Sequence, residues 1–145
     1  MRLRELLKDV EYKLVQGDLE LEISDIAYDS RKVVSDTAFV AMKGFRVDGH
    51  DYIDTAIKNG ARCIVVEDEV EVSDDITVIK LEDTRTDLSK LSRTLFGYPD
   101  KVMTTIAITG TKGKTTISTM IKKILDDNNK DCGLIGTLGV FYKDK

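Results

Sequence analysis

No apolar run long enough to cross a bilayer, no excess of positive charge, and almost no cysteine or proline occur in this 145-residue sequence. Spanning a membrane takes about 20 consecutive apolar residues, and no stretch approaches that. The opening residues, MRLRELLKDVEYK, are charged throughout and lack the apolar core of a secretory signal. With 22 Lys and Arg against 26 Asp and Glu, the net charge is −4, and there is no long basic run. That balance argues against nucleic acid or an anionic membrane as a partner, while leaving room for a local cationic pocket. The two cysteines, Cys63 and Cys132, each sit in an apolar run expected as a strand. They read as buried free thiols in a reducing cytoplasm rather than as a disulfide or a metal site.

The remaining composition, 41% hydrophobic and 33% charged, is that of a globular protein. The length suits one domain, or a small domain and the start of another. Periodicity predicts a short helix over 3–8, then strands over Tyr12–Gln16 and Leu19–Ile23 joined as a hairpin at Gly17-Asp18. Further strands are expected at 25–28 and 37–42, with a loop over 43–49. From Asp51 the pattern turns helical, with Tyr52, Ile53, Ala56 and Ile57 on one face and Gly60 as the stop. Strands over 62–66 and 77–80 flank an acidic stretch, EDEVEVSDD, which reads as a solvated loop. A helix over 84–96 carries Leu88, Leu91 and Leu95 as one stripe.

Tyr98-Pro99-Asp100 holds the only proline and breaks the chain, which places a domain boundary there, dividing 1–98 from 99–145. Beyond it a strand over 103–109, a glycine turn, a helix over 114–128 and a strand over 132–135 are expected. That order predicts a parallel pair joined by a right-handed crossover. Ile117, Met120, Ile121, Ile124 and Leu125 are spaced as a buried stripe on its helix. Two strands and one helix cannot enclose a core, so the second domain is expected to be cut short. The fold class is α/β: a small mixed α/β domain followed by the first β-α-β of a parallel-sheet domain.

The chemistry centres on ITGTKGKTT at 108–116. A β-branched run, a glycine turn and a helix start form a phosphate cradle, because turn N–H groups and the positive helix end face the anion. The general phosphate-loop pattern has a glycine where Ile108 stands, so the match is the tighter Gly110-x-x-Gly113-Lys114-Thr115. Gly110 and Gly113 allow close backbone approach and positive φ, and Lys114 brings an ammonium to the β- and γ-phosphates. Thr115 offers a hydroxyl to Mg²⁺. Thr111 and Lys112 lie within the loop, Lys112 as added charge or as a solvated residue. Thr116 is equally a ligand contact or a helix-start hydroxyl.

This loop resembles that of the Mur ligases, usually TGTxGKTT, commonly with Asn at the position of Lys112. YDSRKV (28–33), DTAFVAMKG (36–44) and DGHDYIDTAIKNGA (48–61) are similar to the uridine-nucleotide-binding domain of the family's MurE and MurF branches. GLIGTLGVF (133–141) resembles the tripeptide-forming MurE branch more. The resemblance implies a cytoplasmic, ATP- and Mg²⁺-dependent amide ligase of peptidoglycan precursor synthesis. In that reaction ATP phosphorylates the D-glutamate side-chain carboxylate of UDP-MurNAc-L-Ala-D-Glu. The amine of meso-diaminopimelate or L-lysine then displaces phosphate from the acyl phosphate.

On the same resemblance Lys114 is catalytic, Asp29, Ser30 and Arg31 lie at the uridine diphosphate, and His50 and Thr137 touch this substrate. The residues alone leave other readings open. Asp29-Ser30 is also a turn with Arg31 in a surface ion pair, His50 a packing or helix-start residue, and Thr137 a strand-end hydroxyl. The expected partners are the muramoyl nucleotide and an amino acid, bound by a monomer. Three other functions fit in part: a non-catalytic UDP-sugar-binding module, a MurF-like ligase, and a generic phosphate-loop ATPase.

Overall fold

The computed structural model describes residues 1–44 and 47–143. The chain divides into two compact units, Met1–Met103 and Thr104–Lys145. In the first, α1 (Leu3–Leu6), β1 (Lys13–Gln16), β2 (Asp25–Ala27), β3 (Thr37–Val40), α2 (Ile53–Lys58), β4 (Ala61–Val66), β5 (Thr77–Lys80) and α3 (Thr84–Leu95) follow in order. Short 3-10 turns stand at Ser30–Lys32, Gly49–Tyr52 and Pro99–Lys101. The sheet order is β1-β5-β4-β3-β2, with β2 to β5 mutually parallel and β1 antiparallel on the β5 edge.

Strands β3, β4 and β5 are apolar at almost every position because both faces are covered. Ala38, Val40, Cys63, Val65, Ile79 and Leu81 pack with Leu3, Leu6, Leu7 and Leu91 on one face. Phe39, Ala41, Ile64, Val66 and Val78 alternate with them and pack with Ile53 and Ala56 of α2 on the other. Val70 and Val72 of the acidic stretch also settle on this second core. Cys63 is fully buried, and burial pushes its thiol up to about 12, which makes it an inert packing group.

The expected hairpin at Gly17-Asp18 does not form. Strand β1 pairs with β5 instead, Lys13 opposite Lys80 and Leu14 opposite Ile79. The segment 19–23 gives its backbone to the N-terminus: Leu3 N–H donates to Leu21 O at 2.8 Å, and Ile23 N–H to Met1 O at 2.8 Å. Sequence alternation allows either pairing; β1 gains more by completing the edge of an existing sheet than by starting an isolated ribbon. Of the loop expected at 43–49, Phe45 and Arg46 lie outside the described residues.

At the end of α3, Tyr98 takes a left-handed backbone, φ 60 and ψ 56, in a non-glycine residue. Its hydroxyl donates to Asp9 at 2.6 Å, and the cations of Lys8, Arg93 and Lys101 lie 4.5–4.8 Å from its ring centroid. These contacts offset the backbone strain.

The second unit holds α4 (Lys114–Asp127), β6 (Gly133–Gly136) and β7 (Gly139–Tyr142). Here three expectations are corrected. Among the described residues no strand forms over 103–109, and this unit holds no parallel pair or crossover: β6 pairs antiparallel with β7, Leu134 opposite Phe141. A β-branched run becomes a strand only where a ladder partner pairs with it, and among the described residues none pairs with 103–109. The α4 stripe is not buried either. A two-stranded ribbon covers only part of it, leaving Ile117, Met120 and Ile124 at 49–61% exposure. Cys132 lies just before β6, half-buried and free, rather than within a strand.

Gly17 and Gly97 both have positive φ, +91 and +70, but a Cβ at Gly17 would stand 2.6 Å from the Thr77 Cα, while one at Gly97 meets nothing. Gly97→Ala should therefore cost the conformational strain alone, about 1–2 kcal/mol. Gly17→Ala should cost distinctly more in urea denaturation; equal losses would mean that the approach of Gly17 to Thr77 is not tight.

Candidate functional site

Four parallel strands end on the same side of the first unit, and the loops leaving that edge line a cavity of about 510 Å³. Ligands of open α/β sheets commonly sit outside such carboxyl ends. Tyr28 to Arg31 follow β2, Met42 and Gly44 follow β3, and Arg85 follows β5. Gly49 and Tyr52 complete the rim, and Gly49 is pinned to the β3 loop, its N–H donating to Met42 O at 2.8 Å. A side chain at 49 would meet the Met42 backbone at 2.6 Å, so glycine sets how closely this rim approaches β3.

Asp29, Ser30 and Arg31 come together in this cavity. Asp29 caps the turn, accepting the Arg31 N–H at 3.1 Å. The Arg31 guanidinium also grips it with two hydrogen bonds, Nε at 2.9 Å and Nη2 at 2.8 Å. These bonds lower the Asp29 carboxyl from its ordinary value to about 2. Ser30 is buried, and its carbonyl accepts from Asn59 Nδ2 at 2.9 Å. The turn and the ion pair are thus both real features of the DSR run, and they stand at a cavity wall.

His50 does not line this cavity. Its ring Nδ1 meets Asp48 Oδ1 at 2.6 Å, and its Nε2 accepts the Glu67 N–H at 3.3 Å. An Nε2 that accepts leaves the proton on Nδ1, where it donates to the carboxylate. Glu67 in turn accepts from Thr84 Oγ1 at 2.7 Å and Thr84 N–H at 2.9 Å. The histidine ties the loop after β3 to the end of β4 and the start of α3, so its ring positions the rim. A larger cleft on this unit, about 1100 Å³, sets six carboxylates, Asp9, Glu11, Glu67, Glu82, Asp83 and Asp87, against Lys8, Lys43, Arg85 and Lys90, and holds none of the expected site residues. Its excess of carboxylates suits it poorly to phosphate.

In the second unit the glycine-lysine loop heads the 14-residue α4. Gly110 has φ +149 and Gly113 φ +79; neither is crowded, so conformation rather than space calls for glycine. Gly113 is the N-cap and provides no side-chain cap, leaving the first-turn N–H groups without an intrahelical partner. Lys114 Nζ donates to Gly110 O at 2.6 Å, which holds its ammonium over the loop. An open cation and uncapped N–H groups fit a polyphosphate, and the Thr115 hydroxyl fits a hard cation such as Mg²⁺. Thr111, Lys112 and Thr116 are exposed around them. A cavity of about 270 Å³ joins Lys114 and Thr115 to Thr137 in the β6–β7 turn. Thr137 therefore belongs with the phosphate loop in its own unit. Tyr52, Met42 and Arg85 were not foreseen as lining residues; the topology that gathers strand ends has no local sequence signal.

A family model described as Mur ligase family, catalytic domain, matches residues 22–94, half of the chain. The chain belongs to the Mur ligase family. A second model, Mur ligase middle domain, matches residues 108–145. Among curated Mur ligases, the UDP-N-acetylmuramoyl-L-alanyl-D-glutamate--2,6-diaminopimelate ligase of Clostridium perfringens is 44% identical over the whole chain, and its counterpart in Clostridioides difficile 39%. The chain spans 30% of the length of each. Among solved structures, the UDP-N-acetylmuramoylalanyl-D-glutamyl-2,6-diaminopimelate--D-alanyl-D-alanyl ligase of Acinetobacter baumannii aligns with a TM-score of 0.72 at 28% identity, covering 87% of this chain and 28% of that one. The MurF ligase of Thermotoga maritima, solved in complex with ADP, aligns at 0.57 and 33% identity over 71% of this chain and 23% of that one. Among the described residues no helix is long and apolar enough to cross a membrane.

The Asp29–Arg31 grip makes a pH prediction. A depressed folded pKa contributes stability above the ordinary carboxylate range and loses it as pH falls toward about 2. Carbon-detected NMR should give Asp29 a midpoint near 2, and Arg31→Ala should return it toward the usual carboxylate value of about 3.9. A normal midpoint in the unaltered chain would show that the pair does not persist in solution.

Proposed function

We propose that this chain supplies the uridine-nucleotide-binding and phosphate-binding parts of an ATP-dependent amide ligase of peptidoglycan precursor synthesis. The acceptor is UDP-MurNAc-L-Ala-D-Glu, and the added amino acid is meso-diaminopimelate, in keeping with the names of the relatives. One observation carries the reading: a carboxyl-edge cavity containing Asp29-Ser30-Arg31 and an uncapped glycine-lysine helix start occur in the same chain, each in its own unit.

In the first unit the exposed rings of Tyr28 and Tyr52 offer faces to a base, and the Ser30 turn stands beside the diphosphate. In the second, the loop N–H groups and Lys114 hold the nucleotide phosphates, and Thr115 holds Mg²⁺. ATP supplies the phosphoryl group that turns an unreactive carboxylate into an electrophile, with ADP leaving and phosphate leaving in turn when the amine attacks. Bringing a carboxylate to a γ-phosphate sets two anions together. The Lys114 ammonium offsets that repulsion and the charge of the transferring group. Thr137 lines the same cavity as Lys114 and orients what enters it. The enzyme works in the cytoplasm as a monomer.

The first unit has two cores of its own, which favours a second reading, a binding module that needs no catalysis. Calorimetric titration of the chain with UDP-MurNAc-L-Ala-D-Glu should register binding under both readings, and silence at millimolar ligand would remove both. In a protein that also carries the remaining length of the relatives, Lys114→Ala should lower kcat by about 10²-fold or more and leave the Kd of the muramoyl nucleotide within threefold. Undiminished ligation in that variant would contradict the role given to Lys114, and no ligation by the unaltered protein would leave only the binding-module reading.

A further inference from the structure

We infer that, among the described residues, Arg85 rather than the motif arginine Arg31 is the principal anion-binding side chain of the first unit's cavity, and that it takes the diphosphate of a nucleoside diphosphate. The inference rests on the reading of that cavity as the uridine-nucleotide site.

Both guanidiniums line the cavity, but their charges are not equally available. Arg31 is bound edge-on to Asp29 by two hydrogen bonds, so an approaching dianion meets a neutral pair with a full negative charge at its base. Arg85 has a different partner. Its Nη2 donates at 3.0 Å to the carbonyl of Lys43, which is uncharged, and it forms no ion pair among the described residues.

Arg85 also borders the acidic cleft with Glu67, Glu82, Asp83 and Asp87, but among the described residues it forms no ion pair there, and Asp87 is taken by Lys90 at 2.7 Å. Asp83 accepts the Thr86 N–H at 2.9 Å and the Thr86 hydroxyl at 2.6 Å as the cap of α3. Glu67 is taken by Thr84, and Asp68 by Lys43 at 2.6 Å. Arg85 therefore keeps its charge and most of its five N–H donors. Its backbone is fixed in the first turn of α3, while the single bond to Lys43 aims the fork across the loop that follows β3. The exposed faces of Tyr28 and Tyr52 share the cavity, so an anion site and base-stacking surfaces lie within one concavity of about 510 Å³.

Isothermal titration of the 145-residue chain with UDP, and with uridine as the probe lacking phosphate, separates the possibilities. Arg85→Gln should weaken UDP about tenfold or more and leave uridine unchanged, since charge-assisted bonds to phosphate are lost and stacking is kept. Arg31→Gln should weaken UDP less than Arg85→Gln does. Arg85→Lys, which retains the charge and can still reach a carbonyl, should recover part of the loss, with circular dichroism showing each variant folded. A loss at Arg31→Gln equal to or greater than that at Arg85→Gln, or equal losses for Arg85→Lys and Arg85→Gln, would overturn this assignment while leaving the cavity a nucleotide site. Failure of the unaltered chain to bind UDP at all would remove the reading of the cavity and this assignment with it.

Discussion

Burial of β4 on both faces is the constraint from which the rest of the first unit follows. Ala61–Val66 lies between β3 and β5, and from Cys63 to Val66 its side chains enter the two cores alternately. A strand covered on both sides satisfies its polar backbone only through neighbours, so β3 and β5 must pair with it along their length. Parallel pairing then forces every connection to cross from one edge of the sheet to the other. The loops after β2, β3 and β5 emerge at one edge as a consequence, and that edge is where the cavity forms. The site is thus a product of the sheet direction, and its polar residues need no long-range coding beyond standing just after a strand.

Electrostatics then sorts the residues gathered there. A carboxylate that grips an arginine fixes a turn but spends the arginine's charge locally, as Asp29 does with Arg31. An arginine whose guanidinium meets only a carbonyl keeps its charge unneutralised, as Arg85 does among the described residues. The same distinction operates in the second unit, where Lys114 is held by the Gly110 carbonyl rather than by an acid. In both units the cation suited to phosphate is parked on a neutral acceptor, which orients it without neutralising it.

Much of this was legible in the sequence where the signal is local. The apolar runs around Phe39, Ile64 and Val78, the glycine at the end of α2, the Leu91 stripe of α3, and the glycine-lysine helix start all carry their own periodicity or turn chemistry. What was not legible depends on competition between distant partners. Leu19–Ile23 alternates like a strand, yet its backbone bonds go to residues 1–4, because β1 had a better partner in β5. The run 102–108 has strand composition, but among the described residues no strand pairs with it. His50 illustrates the same limit at the level of a site. Its motif suggests a ligand contact, whereas Asp48 and Glu67 occupy both ring nitrogens.

The central claim is that one chain carries two ligand sites of different chemistry, each built within a single unit. Amide chemical-shift mapping of the labelled chain with UDP-MurNAc-L-Ala-D-Glu tests it most directly. The account predicts the largest shifts in the loops after β2, β3 and β5, at residues 28–31, 42–44, 47–52 and 83–86, with smaller ones at the amides of 110–116. Shifts concentrated at 110–116, or in the acidic cleft around Asp9 and Asp87, would contradict it.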